Sequence, residues 1–342
     1  MNIFDLVTSA NMVAYWLEKN LNTYTVGEQL FPTQREIGTR IDWVKGANNQ
    51  PVALRLSAYD AKSIRRDREG IVVSEAKMPF FKESMVIDEE MRSQLNTLLQ
   101  TSNEALIRVI VARIFDDQIK LIKAAYESLE RMRMQVLTTG TVTLASNGQS
   151  YTYDYGVPAS NKITASPAWS AANAKPIKDI NDAKKLAKAK GFTLTRAMCN
   201  SNVLDDLCNN TSIKDRLYVL AGGNVEITGE EVRKFIERET GITIFVNDDG
   251  YIDEATGAFT TYFADDVFVM FPDGELGKTH IGITPEESDL MNGATKAQVT
   301  VENGIAVTTF ALEDPVNVET KVSMVALPSL EMAEALYILD VK

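Results

Sequence analysis

The sequence feature that most constrains the fold is a long window that contains neither proline nor glycine. Neither residue occurs between Pro79 and Gly140, so nothing in this window forces a helix to break. Ser102 and Asn103 stand where a helix N-cap belongs. The window therefore predicts a helix over residues 103–136, closed by Gly140 and roughly 50 Å long at the usual rise per residue.

Apolar side chains recur along this predicted helix with close to the 3.6-residue period of an amphipathic helix. The positions expected to pack against the rest of the protein are Ile107, Val111, Ile114, Leu121 and Leu129. Charged residues collect between these positions, on the remaining faces of the helix. A helix of this length with one apolar stripe indicates a strut along which a broad surface packs.

The segment before the helix predicts an extended two-stranded ribbon. Polar and apolar residues alternate from Arg35 to Lys45, turn-forming residues follow, and the alternation resumes at Val52. A basic cluster then follows in the ribbon, formed by Lys62, Arg65, Arg66 and Arg68. The ribbon is too short and too polar to form a core, so we expect it to pack on a neighbouring molecule.

The second half of the chain predicts a hairpin and then a domain of alternating helices and strands. Residues 141–155 alternate around Asn147-Gly148, which favours a type I′ turn. Residues 157–176 are typical of a loop or boundary, and residues 177–272 predict a compact α/β domain. We expect the tail to contain strands near residues 279–284, 299–301, 305–310, 318–327 and 336–341.

The charge of the chain is unevenly distributed. The formal net charge is −12. Residues 1–135 contain 18 basic and 18 acidic side chains, which leaves 17 basic and 29 acidic residues for the remainder. Such an acidic surface argues against binding to a phosphate backbone, although it allows a protein to stand near DNA without adhering to it.

Candidate catalytic and metal-binding residues are few. His280 is the only histidine, and neither Cys199 nor Cys208 lies in a metal-binding or nucleophilic motif. The acidic stretch from Asp248 to Glu254 favours a hydrolase or a calcium site as an alternative, but it departs from the EF-hand pattern. The sequence predicts no enzyme active site, no metal site and no cofactor.

Three short motifs carry a resemblance over nearly the whole chain. They are Leu30-Phe31-Pro32-Thr33, Met78-Pro79-Phe80-Phe81-Lys82-Glu83 leading into Asp88-Glu89-Glu90, and Val322-Ser323-Met324-Val325-Ala326-Leu327-Pro328-Ser329. Their order and spacing resemble those of tailed-phage major capsid proteins, in particular the lambda major capsid protein (phage capsid E) family. The resemblance implies an α+β chain with the Hong Kong 97-like capsid fold.

By this resemblance, the chain divides into the segments of that fold. They are an N-terminal arm (1–34), an extended β-hairpin or E-loop (35–76), a P domain with a spine helix (77–140), a hairpin insertion and linker (141–176), an α/β A domain (177–272), returning P-domain strands (273–327) and a C-terminal A-domain strand (328–342). The ribbon residues expected to contact the next subunit are Arg55, Lys62, Arg65, Arg66 and Arg68.

The resemblance also implies a structural function. Copies of the chain would form pentamers and hexamers of an icosahedral shell that encloses phage DNA without binding it specifically. Because the arm begins near Met1, the scaffolding protein would be separate, and a portal and a decoration protein are further expected partners. The protein would lie in the virion capsid after assembly in the host cytoplasm, without membrane contact. An encapsulin-like compartment that encloses cargo enzymes is the alternative with the same fold.

Overall fold

A computed structural model describes residues 7–19, 25–45, 72–87, 89–101, 104–146, 148–218, 226–253, 256–293, 298–313 and 316–342. The chain forms two compact units, each assembled from separate stretches of sequence. The first unit comprises residues 1–41, 75–132 and 278–328. The second comprises residues 42–74, 133–277 and 329–342.

The first unit is built on a six-stranded sheet. Its strands are β1 (Thr33–Arg35), β4 (Phe80–Val86), β13 (Thr279–Gly282), β14 (Gln298–Glu302), β15 (Ile305–Glu313) and β16 (Val316–Pro328). The path runs β1-β13-β16-β15-β14, and β4 also pairs with the long β16. Only β1 runs parallel to its neighbour, β13. One edge of β16 pairs with β15. The other edge pairs first with β4 and then, further along β16, with β13.

Helices accompany this sheet in the first unit. They are α1 (Ser9–Glu18), α2 (Val26–Leu30), α3 (Glu89–Thr101), α4 (Glu104–Thr139, in this unit to Met132) and α9 (Pro285–Met291). The N-cap Thr8 accepts a hydrogen bond from the Asn11 amide, which satisfies one of the free donors at the start of α1. The Trp16 ring stacks on Tyr126 of α4 at a centroid distance of 5.6 Å.

The second unit is built on a five-stranded sheet. Its strands are β7 (Lys162–Thr164), β8 (Arg196–Cys199), β9 (Thr243–Val246), β12 (Val267–Phe271) and β17 (Tyr337–Asp340). The order is β7-β17-β12-β8-β9, with parallel pairs at both ends and antiparallel pairs in the middle. The hairpins β5–β6 (Thr141–Ser146, Gln149–Asp154) and β10–β11 (Gly250–Ile252, Phe259–Thr261) form separate two-stranded sheets.

One face of the five-stranded sheet is buried beneath helices. These are α5 (Pro176–Ala189), α6 (Ser201–Asn209), α7 (Thr211–Leu217) and α8 (Gly229–Thr240). Their apolar side chains, including Ile180 and Val232, share one buried core with Phe268 and Leu339 of the sheet. The helix α8 begins with a capping box, in which Thr228 and Glu231 bond to each other's backbone amides.

The long helix is confirmed, and its end follows the predicted chemistry. It extends over Glu104–Thr139, three residues beyond the predicted end at residue 136. Gly140 follows with a φ of 72°, a conformation that glycine adopts without the strain of a Cβ.

Two local predictions differ from the structure. The ribbon strand expected from Arg35 begins at Arg40, because residues 33–35 pair with β13 in the six-stranded sheet. The loop expected over residues 157–176 contains β7 and a fully buried Trp169. In both places the strand is three residues long and its partner is far along the chain, so no local alternation of polarity marks it.

Candidate assembly surfaces

The ribbon begins as a two-stranded sheet formed by β2 (Arg40–Lys45) and β3 (Val72–Lys77). Among the described strands, these two pair only with each other. Arg40 and Glu75 form an ion pair of 2.8 Å between two exposed side chains. A lone two-stranded ribbon is at best marginally stable in water, and an exposed ion pair contributes little.

The basic residues predicted to contact a neighbour are Arg55, Lys62, Arg65, Arg66 and Arg68. They lie in residues 46–71, outside the described residues. Their role in assembly stays a prediction.

The predicted packing residues of the long helix lie at two levels of burial. Ile114, Leu121 and Leu129 are buried, whereas Ile107 and Val111 are half-buried. Toward the beginning of α4, Val109 is 64% exposed. Within the first unit, the buried stripe of α4 therefore extends from Ile114 to Leu129.

Glu130 fixes the arm-side helix α2 to α4, and sequence reasoning missed it. The side chain is 4% exposed, and its Oε1 accepts a hydrogen bond of 2.9 Å from the Gly27 amide. Its Oε2 accepts one of 2.6 Å from the Thr25 hydroxyl. A Cβ at Gly27 would lie 2.4 Å from that carboxylate, so only glycine allows this approach. The only indication of this link in the local sequence is an acidic residue beside the apolar stripe of α4.

The edge of the six-stranded sheet formed by β1 is held by polar and charged side chains. His280 on β13 is 4% exposed, and its Nδ1 lies 2.9 Å from Glu36 Oε1, just after β1. Arg35 on β1 forms an ion pair with Glu287 on α9. The only histidine of the chain therefore has a hydrogen-bond partner just after β1, which is a structural role.

The two adjacent glutamates at the start of α9 point to different strands. Glu287 reaches β1, whereas Glu286 lies 2.6 Å from Lys321 Nζ and 2.9 Å from Ser323 Oγ on β16. Burial of Glu286 opposes its ionisation, but the hydrogen bonds from Lys321 and Ser323 outweigh this, and its pKa is lowered. The carboxylates therefore tie a helix to two strands and do not form a catalytic pair.

The acidic stretch of the second unit takes part in local hydrogen bonds. Asp248 accepts bonds from the Ser201 amide and hydroxyl at the start of α6, and Asp253 accepts from the Thr256 amide. In the part of the chain that the structure describes, no three His, Cys, Asp or Glu side chains converge to hold a metal ion.

Both cysteines are free thiols. Cys199 is fully buried, and burial, followed by the nearby Asp248, raises the pKa of its thiol to about 12. Cys208 is half-buried. A thiol with so high a pKa is a poor nucleophile near neutral pH, so Cys199 belongs to the core.

No helix among the described residues has both the length and the apolar character needed to cross a bilayer.

Comparisons with known proteins identify the chain's family. The family described as phage major capsid protein E matches residues 8–341. No curated protein matches the chain.

Solved structures share the fold at low sequence identity. A prophage protein of Escherichia coli CFT073 assigned to the capsid has a TM-score of 0.61 at 14% identity, covering 98% of this chain and 99% of that chain. A phage-related protein from Bordetella bronchiseptica RB50 has a TM-score of 0.54 at 13% identity, covering 98% and 97%. The capsid of cyanophage A-1(L) has a TM-score of 0.50 at 11% identity, covering 94% of both chains.

These likenesses show the Hong Kong 97-like capsid fold, and the family match covers almost the whole sequence. The predicted family and fold class are thereby confirmed. The chain belongs to the phage major capsid protein E family and is a structural, shell-forming protein of the virion capsid, not an enzyme.

Proposed function

We propose that copies of this chain assemble into pentamers and hexamers, and these into an icosahedral phage head that encloses DNA. In this proposal the arm is 1–34, the E-loop is 35–76, and the P domain comprises 77–140 and 273–327. The A domain comprises 177–272 and 328–342. The encapsulin-like alternative is weaker, because the matching family is one of phage capsid proteins.

The observation that carries the proposal is the ribbon of β2 and β3. It forms a two-stranded sheet of its own, joined to neither of the two larger sheets among the described strands. A ribbon of this kind gains stability when its faces are covered. In a shell, a neighbouring copy supplies that cover, and the basic cluster of the ribbon meets a surface from the acidic remainder of the chain.

The charge of the chain supports enclosure of DNA without adhesion to it. The net charge is −12, and the excess of acidic residues lies entirely beyond residue 135. Like charges on shell and DNA repel, so packed DNA remains free to leave the head. The proposal includes a separate scaffolding protein, a portal and a decoration protein as partners, with assembly in the host cytoplasm.

The first test is negative-stain electron microscopy of the protein produced with its genomic neighbours, beside size-exclusion chromatography of the protein alone. We expect closed, uniform shells, or isolated pentamers and hexamers. A monodisperse monomer under every condition would overturn the proposal. Shells that contain DNA support a phage head, whereas shells filled with one enzyme would favour the compartment.

The second test reverses the basic cluster by the changes Arg65→Glu, Arg66→Glu and Arg68→Glu together. We expect a folded subunit with an unchanged circular dichroism spectrum that no longer forms shells, because the reversed ribbon is repelled by an acidic neighbour. The control for reversal of a positive charge is Lys120→Glu, at an exposed position in the middle of α4. Normal shells from the triple variant would refute the assigned role of the ribbon.

A further inference from the structure

The β10–β11 hairpin of the second unit is preorganised. Its two strands pair over three residues each, and Asp253 closes the turn. The Asp253 amide donates to the Ala258 carbonyl at 2.9 Å, and the Gly257 amide donates to the Asp253 carbonyl at 2.7 Å. On the hairpin face that carries Tyr251, its ring stacks with that of Tyr262 at a centroid distance of 5.8 Å. These contacts hold the two strands together, and among the described residues their other face has no ring contact of this kind.

That other face carries two large apolar side chains side by side. Ile252 and Phe259 are cross-strand partners, so their side chains lie on the same face. Ile252 is 72% exposed and Phe259 is 63% exposed. Single exposed apolar residues are common, but a paired isoleucine and phenylalanine on a two-stranded hairpin gain stability only when another surface covers them.

The hairpin segment is also strongly acidic. Residues 247–263 contain four acidic side chains, Asp248, Asp249, Asp253 and Glu254, and no basic one. The side chain of Asp249 is exposed. A surface that covers the hairpin is therefore expected to combine an apolar contact with positive charge.

Helix α5 of the second unit presents such a surface. It contains four lysines and two aspartates, and its buried stripe includes Ile177 and Ile180. On the flank of this stripe Leu186 is 48% exposed, and it directly follows the exposed Lys185 in sequence. Lys178 and Lys185 both pair with Asp182, at 3.1 and 2.9 Å. Such exposed pairs are weak, so the lysines can reorient toward a stronger acidic partner.

We propose that the β10–β11 hairpin of one copy docks on the exposed face of α5, around Leu186 and Lys185, of the next copy. The proposal rests on the proposed function and names the surfaces by which its subunits meet. Ile252 and Phe259 pack on Leu186, and Asp249 approaches Lys185. Since the two surfaces are different parts of the same chain, the contact is heterologous, and its repetition forms a ring when the rotation from copy to copy closes. Many such contacts in one shell allow each to be weak.

Thiol cross-linking between mixed single-cysteine variants tests the contact directly. In a Cys208→Ser background, one chain carries Phe259→Cys and the other carries Leu186→Cys. After co-assembly, a short thiol-specific cross-linker is added and the products are separated by gel electrophoresis. We expect dimers from the mixture and none from either variant alone, because a heterologous contact places the hairpin against α5 only between two different copies.

The matched control replaces Phe259→Cys by Met291→Cys, whose parent side chain is 65% exposed and lies on α9 of the first unit. Cross-links from Phe259→Cys alone, equal cross-links from the Met291→Cys mixture, or particles without any cross-link would each overturn the proposal. Electron microscopy of the same samples separates the two hypotheses. If wild-type chains form no particles, the proposed function fails, and this contact fails with it.

A charge exchange provides an independent readout. Lys185→Glu is expected to raise the protein concentration needed for assembly by about tenfold. Adding Asp249→Lys to the same chain is expected to return that concentration to the wild-type value. Both side chains are exposed, so the thermal unfolding midpoint serves to confirm that the subunits remain folded. A double variant that assembles no better than Lys185→Glu alone would contradict the pairing.

Discussion

At the scale of single residues, the buried carboxylate of Glu130 and the partly buried carboxylate of Glu286 link segments of the first unit that are far apart in sequence. Glu130 receives hydrogen bonds from Thr25 and Gly27, and Glu286 receives them from Lys321 and Ser323. A buried carboxylate is tolerated only when charged or polar partners replace its lost hydration. The residues that neighbour these glutamates in sequence do not indicate which groups donate hydrogen bonds to them. Sequence analysis therefore could not identify either link.

The lowered pKa of Glu286 predicts a loss of stability in acid. Its ordinary value is 4.5. Because the folded state lowers this pKa, the ionised group stabilises the fold above about pH 4.5, and this stabilisation is lost as the pH falls through the folded pKa. In urea unfolding between about pH 6 and pH 3, we expect the free-energy advantage of the wild type over Glu286→Gln to shrink as the pH falls.

The control for this titration is Glu226→Gln, since Glu226 is exposed. We expect its free energy of unfolding to follow that of the wild type at every pH. An advantage of the wild type over Glu286→Gln that stays constant down to pH 3 would contradict the assigned ion pair.

At the scale of elements, α4 shows why the long helix was predictable. Its 36 residues follow one apolar period and contain no residue that breaks a helix, and both properties are local. The capping box of α8 and the strands of the β5–β6 hairpin were predictable for the same reason. By contrast, β1 and β7 are three-residue strands whose pairing partners lie far along the chain, so only the folded sheet defines them.

The burial along α4 predicts a difference between two substitutions on the same helix. Leu129→Ala is expected to lower the free energy of unfolding by about 2–4 kcal/mol, because Leu129 is 3% exposed and its loss leaves a cavity. Val109→Ala is expected to change it by less than about 0.5 kcal/mol, since Val109 is largely exposed. Chemical denaturation measures both, and equal effects would show that the apolar stripe is not the packing face of α4.

At the scale of the whole molecule, charge distribution and family point to the same function. A neutral first part with a basic ribbon is joined to an acidic remainder, and the chain belongs to a capsid family. Attraction between opposite charges in water weakens as the Debye length falls from about 10 Å at 0.1 M salt to about 3 Å at 1 M. Assembly through the ribbon should therefore depend on ionic strength.

This dependence is measured against a matched variant that carries Arg65→Gln, Arg66→Gln and Arg68→Gln. Salt also screens the repulsion between acidic copies, and this effect is nearly the same in both proteins. By light scattering, we expect the concentration needed for wild-type assembly to rise with sodium chloride relative to that of the variant. Identical salt profiles would show that the arginines make no attractive contact in the shell.

The sequence by itself determined the features that depend on neighbouring residues. The long helix, the capping box of α8, the paired hairpin strands and the absence of catalytic motifs follow from periodicity, turn chemistry and residue spacing. The resemblance carried by short motifs added the family. The tertiary structure alone decided which segments pair as β1 with β13 and as β7 with β17, and that the carboxylates of Glu130 and Glu286 link distant segments. It also decided that Ile252 and Phe259 stand exposed side by side. These features depend on residues brought together from distant parts of the chain, and patterns among neighbouring residues do not predict such contacts.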